Sequence, residues 1–249
     1  MTYSSFDYLF ADPYYVDGVG FIKAITLNDI RRVRYDVFQL YLTCLIVNKE
    51  QCIENSDLSD KLKSLPLDVY NQIELYDLLV ANNLLVLASM INFFIDNYAF
   101  FDEETQQFFI YEDADKTKEL GTINRNNYAM FSNAVLKSLG IDKQVEKPPK
   151  YKSERARQLA EKIEKHKQDS IKESTDDSLD NLILKYCTFN KVGINLLNVG
   201  NLTYRGFISL YKELTYSKVM DVQDLVYANT ASFSDLNSYN SELWHKNIQ

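Results

Sequence analysis

One basic stretch divides this chain and limits what it can fold into. Residues 143–172 read KQVEKPPKYKSERARQLAEKIEKHKQDSIK, with ten Lys/Arg against five Asp/Glu. The whole chain carries −8, so everything outside this stretch carries −13. Pro148 and Pro149 forbid helix at the start of the stretch and stiffen it. From about Ser153 to Gln168 a charged helix can form, but its apolar face is only Ala156, Leu159, Ala160 and Ile163, too thin to carry a core. The expected organisation is a mainly helical N-terminal domain over 1–142, a basic connector helix and linker over 143–175, and a helical C-terminal region over 176–249 that ends in a Trp-containing tail. The connector has three readings: a solvated helix held by i,i+4 pairs such as Glu161–Lys165, a docking helix for an acidic partner, or a phosphate-backbone binder. The acidic flanks oppose the last of these.

On either side of the stretch the pattern is helical with a small strand content. The 46% hydrophobic and 13% aromatic residues are ample for a core. Asp17-Gly18 lies between apolar flanks and predicts a short hairpin. Thr26 and Asp29 have the spacing of a capping box, and helical pattern follows to about Asn48. Further helices are expected over 56–64, 67–80 and 83–95. In the last of these Leu84, Leu87, Ala88, Ile91, Phe94 and Ile95 recur at three- and four-residue steps, the pattern of a central core helix. Residues 84–95 are too short an apolar run to span a bilayer. Two aromatic runs, 98–101 and 108–111, flank a polar turn and predict a second hairpin. A helix over 124–139 stops at Gly140. Another is expected over 179–189, then a loop rich in Gly and Asn, then helices over 206–214 and 219–229, the first capped by Thr203. The fold class is therefore mainly α with a small β contribution, an α+β arrangement.

No pattern of residues points to catalysis. His166 and His245 are isolated. Cys44, Cys52 and Cys187 form no CxxC pair and fit a reducing, cytoplasmic setting. Residues 17–20 lack the third glycine of a dinucleotide fingerprint, and residues 113–124 lack the Gly and bidentate Glu of a calcium loop. P-loop, GxSxG, zinc-spaced and HExxH motifs do not occur. The N-terminus has neither the basic start nor the apolar segment of a signal peptide. A sequence pI near 4.9 argues against broad nucleic-acid or anionic-membrane binding. The expectation is a protein without enzymatic activity, cofactor or metal.

Several patches in shared order resemble proteins of tailed phages and prophages of Gram-positive bacteria. They are Thr26, Leu27, Asp29 and Ile30; then Tyr35, Phe38, Leu40, Tyr41 and Leu42; then GTINRNNYAMFSNAVLKSLGI over 121–141. The charged helix from Lys152 through Arg155, Ala156 and Arg157 to Ile163 and the tail Trp244, Lys246, Asn247 and Ile248 complete the series. The polar residues 229–243 depart from the more basic approach to the tail expected of that group. The resemblance is to tail-assembly proteins, often described as tail assembly chaperones. It implies protein partners, a tape-measure protein and tail-tube subunits, in the host bacterial cytoplasm, with self-association compatible. The implied mechanism is coverage of amphipathic helices in an apolar groove. Partner contacts are expected at Trp244, Lys246 and Ile248 on the tail and at Arg155, Arg157 and Lys162 on the connector, since Trp and Arg are enriched among binding hot spots. A structural component of the tail or baseplate and a nucleic-acid-binding regulator are the alternatives.

Overall fold

The computed structural model describes residues 7–10, 12–54, 56, 61–62, 72–141 and 178–229. The connector residues Arg155, Arg157 and Lys162, and with them the expected helix over 153–168, lie outside the described residues, as do most of 56–64 and the tail from residue 230 onward. Among the described residues the fold is α+β and mainly α, seven helices with small antiparallel sheets.

After a short 3-10 turn at Asp7–Leu9 comes the expected hairpin. Strand β1 (Tyr14–Val16) pairs antiparallel with β2 (Gly20–Ile22), Tyr14 opposite Ile22 and Val16 opposite Gly20. Gly18, at φ 72°, makes the turn, a backbone conformation that costs a residue without Cβ nothing. Helix α1 (Leu27–Val33) then starts on a complete capping box: the Asp29 amide donates to Thr26 Oγ1 at 3.2 Å and the Thr26 amide donates to Asp29 Oδ2 at 3.0 Å.

The single helix expected from here to Asn48 is broken. Only Arg34 separates α1 from helix α2 (Tyr35–Ile46), and it sits at φ 75°, ψ 148°. Leu27, Ile30, Phe38, Tyr41, Leu42 and Leu45 would fall on one side of a continuous helix, so periodicity gives no warning of the break. The cause is tertiary. Helix α1 packs on residues Val199–Asn201, while α2 packs on α4 (Leu75–Phe94) and α5 (Tyr128–Ser138). One straight rod cannot face both sets of neighbours. The short helix α3 (Lys49–Glu54) follows and packs on α4.

Helix α4 joins what the sequence pattern divides in two. Asn83, at φ −160°, ψ 68°, kinks it, and its side-chain oxygen accepts from the Val86 amide at 3.4 Å. By length and composition α4 is apolar enough to cross a membrane. Here its C-terminal half buries Leu87, Met90, Ile91 and Phe94, with Ile95 beyond it, while Leu84 and Ala88 are partly buried. The expected core face is thus largely the observed one.

The second hairpin, β3 (Tyr98–Asp102) and β4 (Gln107–Tyr111), gains a third strand, β5 (Glu119–Ile123), in the order β3-β4-β5. Sequence pattern misses β5 because ELGTI has a glycine at its centre and little alternation. That glycine is the point of the strand: a Cβ on Gly121 would lie 2.5 Å from the Gly18 carbonyl oxygen. The Thr122 amide donates to the same oxygen at 3.0 Å, tying the first hairpin to the sheet. Helix α5 ends in a Schellman motif, with Ile141 N–H to Leu136 O and Gly140 N–H to Lys137 O, and Gly140 at φ 72°.

Helices α6 (Leu179–Phe189) and α7 (Tyr204–Asn229) follow the basic stretch. The expected helices over 206–214 and 219–229 form one continuous element. Its start is capped by Thr203 Oγ1, which accepts from the Gly206 amide at 3.0 Å. Residues on both sides of the basic stretch belong to one apolar cluster: Phe38, Phe94, Phe108, Phe131 and Phe207 are all fully buried. The Leu27 amide donates to Leu202 O at 3.0 Å, the Tyr204 amide donates to Ile25 O at 2.8 Å, and Arg205 Nη1 donates to Lys137 O at 2.7 Å.

Candidate interaction groove

Helix α1 and helix α6 do not close against each other. Between them lies a groove of about 560 Å³, and the loop that precedes α7 forms its third wall. Leu27 and Ile30 come from α1, Leu179 and Ile183 from α6, and Leu196, Leu197 and Val199 from the loop. The polar lining is Asn28, Arg31, Arg34, Tyr35 and Asp180. Gly200 also lines it, against Asn28: a Cβ there would lie 2.4 Å from Asn28 Oδ1.

The loop is built by asparagines. Asn190 Oδ1 accepts from the Val192 and Ile194 amides at 3.2 and 3.1 Å, and its Nδ2 donates to Tyr186 O and Ile194 O at 2.8 and 2.6 Å. Asn195 Oδ1 accepts from the Leu197 amide at 2.9 Å, and Asn198 Oδ1 accepts from the Asn195 amide at 2.8 Å. Asn28 Nδ2 reaches from α1 to Asn201 Oδ1 at 3.1 Å. Short amide side chains satisfy the backbone groups that a helix or sheet would otherwise satisfy. The effect is to fix the loop while turning its apolar side chains outward. Leu197 is 96% exposed, Val192 72% and Leu196 62%. One exposed leucine is ordinary; here Leu196 and Leu197 stand exposed together on the groove lining, with Val192 exposed on the preceding turn.

The charges along the groove are unequal. Arg31 makes no ion pair among the described residues. Arg34 pairs with Asp36 at 3.2 Å, but both side chains are mostly in solvent, so the pair contributes little. On the opposite wall Asp180 is held below the ordinary carboxylate range chiefly by a hydrogen bond from Ser178, the residue that begins α6. The carboxylate therefore stays ionised, at a helix start where the peptide dipoles favour negative charge. The lining thus carries two guanidinium groups on one wall and one ionised carboxylate on the other. Arg34 also has the positive φ that glycine tolerates and side chains disfavour, so an arginine holds a strained position on the rim.

A second cavity, of about 170 Å³, lies at the α4 kink and is lined by Cys44, Cys52, Asn82 and Asn83. Burial pushes both thiols up, and the proximity of Cys52 pushes Cys44 further. Both thiols are thereby held toward the protonated form. Among the described residues no three His, Cys, Asp or Glu side chains gather as a metal requires. The Asp113 carboxylate accepts from the Thr117 amide at 3.0 Å and so closes the β4–β5 turn.

Of the residues expected from sequence to contact a partner, Trp244, Lys246, Ile248, Arg155, Arg157 and Lys162 all lie outside the described residues. The groove residues escaped sequence reasoning. The signal for its loop is the recurrence of Asn190, Asn195, Asn198 and Asn201, each of a type that bonds nearby backbone. No model of a known protein family, no curated protein and no solved structure matches this chain.

Proposed function

We propose that this chain is a non-enzymatic assembly protein of a phage tail, a chaperone that covers an amphipathic helix of the tape-measure protein in the groove between α1 and α6. The observation that carries the reading is the pair Leu196–Leu197, held in water by asparagine hydrogen bonds at the lip of an apolar groove. A long helical protein waiting for its tube exposes apolar faces that aggregate, and a helix-in-groove contact shields them. The resemblance to tail-assembly proteins supplies the partner. The C-terminal region, with Trp244, Lys246 and Ile248, then serves tail-tube subunits, and Arg155, Arg157 and Lys162 serve an acidic surface of either partner. The site of action is the host cytoplasm during virion assembly.

The test is co-expression with the tape-measure protein of the same tail gene cluster. The expected result is a soluble complex that Leu197→Asp abolishes without lowering the melting temperature of the chaperone. Mass spectrometry of purified particles is expected to lack the chain. Its presence there at fixed stoichiometry identifies a structural component of the tail or baseplate instead. A complex that survives Leu197→Asp moves the contact away from the groove.

A further inference from the structure

We infer that the occupant of the groove is an amphipathic helix whose apolar face is bordered by carboxylates. The inference rests on the helix-in-groove reading and adds the chemistry of the partner. Ile183, Leu196 and Leu197 offer apolar surface over a floor of buried Leu27 and Ile30, and any helix seated there removes water from the rim. Two guanidinium groups stand there, Arg31 and Arg34, three residues apart. Arg31 has no carboxylate among the described residues, and the partner of Arg34 is a solvent-exposed aspartate. The one carboxylate lining the groove, Asp180, stays ionised on the opposite wall and forms no ion pair with either arginine among the described residues.

Covering an unpaired guanidinium without a counter-charge is costly, and a lysine placed against it is worse. A glutamate or aspartate on the docking helix removes both penalties, because a planar guanidinium takes a carboxylate in a paired hydrogen-bonded geometry. Residues three and four apart share a helix edge, so acidic residues at that spacing on the partner can meet both arginines. The rest of the chain is acidic, so long-range attraction does not assist. The selectivity comes from the rim itself.

The probes are two synthetic peptides of about 18 residues, long enough to be helical in water. Both carry one leucine face. In one the face is bordered by glutamates, in the other by lysines. Binding to the full-length protein is measured by fluorescence anisotropy. The glutamate peptide is expected to bind at least ~10-fold more tightly, the scale of a rim charge pair that becomes partly desolvated. The R31E/R34E variant, altered only at exposed positions, is expected to invert the order, and L197D to abolish binding of both.

Equal affinity for the two peptides, with loss on L197D, overturns the acidic edge and leaves the groove reading standing. Failure of both peptides to bind overturns the inference; if the tape-measure complex also survives L197D, the groove reading falls with it. Three further outcomes overturn the inference by assigning another occupant. They are a many-fold gain in peptide affinity on removal of residues 230–249, a dimer that L197D converts to monomer, and L197D-sensitive binding to phosphatidylserine vesicles in place of peptide.

Discussion

Replacing Phe207 by alanine tests whether the segment after the basic stretch is part of the same cooperative unit as the segment before it. Phe207 is fully buried, and its ring stands edge-on to Tyr186 at 5.7 Å. Loss of the transfer free energy of the ring contributes roughly 1.5–3 kcal/mol, and the cavity left behind brings a buried Phe→Ala change to roughly 3–5 kcal/mol. The aromatic pair with Tyr186 adds about 1 kcal/mol, which favours the upper half of that range. For a chain of this size each kcal/mol lowers the melting temperature by roughly 2–4 °C, so a fall of about 10 °C or more is expected. Urea and thermal unfolding followed by circular dichroism measure it, with Leu197→Ala as the control. The control removes a side chain that is 96% exposed and should change stability by less than ~0.5 kcal/mol. A Phe207→Ala loss under ~1 kcal/mol refutes the burial reading. A small early transition, with the main one left at the wild-type midpoint, refutes the shared unit.

Three other outcomes follow from single contacts. Gly121→Ala puts a Cβ against backbone atoms of Gly18 and Val19 that cannot swing aside, so it should cost about 2 kcal/mol or more, read by urea unfolding. Asp29 is buried, which alone would raise its carboxyl, but hydrogen bonds from Thr26 and the Lys23 ammonium at 3.1 Å outweigh this and hold it below the ordinary carboxylate value. Its contribution is therefore complete above the unfolded value and lost as pH falls through the lower folded one. Asp29→Asn should cost about 1 kcal/mol at pH 7, and the gap to wild type should narrow as acid titrates the carboxylate. Trypsin cleavage within residues 143–172 should leave two fragments that co-elute until denaturant is added, because Leu27–Leu202 and Ile25–Tyr204 hydrogen bonds and Phe207 join them. Fragments that separate in native buffer would contradict that packing.

Local chemistry made much of the fold legible. The Thr26–Asp29 box, the Asp17-Gly18 turn, the Gly140 stop and the 179–189 helix each depend on a few neighbouring residues, and each is present. The candidate site was not legible. Its walls come from residues 27–35, 179–183 and 196–200, brought together only by folding, and its leucines read in the sequence as ordinary loop content.

The sequence by itself determined the capped start of the first helix, the stop at Gly140, which face of 84–95 is apolar, and the two hairpins. These follow from caps, turns and periodicity, whose energies are set within one or two turns of chain. Tertiary structure alone decided the break at Arg34, the addition of β5, and the open groove beside Leu197. Arg34 is held at positive φ because α1 and α2 have different neighbours, not because its own residue type favours it. Strand β5 pairs with β4, and Gly121 lets it approach Gly18 closely, a fit that depends on residues about a hundred positions apart. The groove stays open because asparagine side chains satisfy the loop backbone, which frees it from packing its leucines inward.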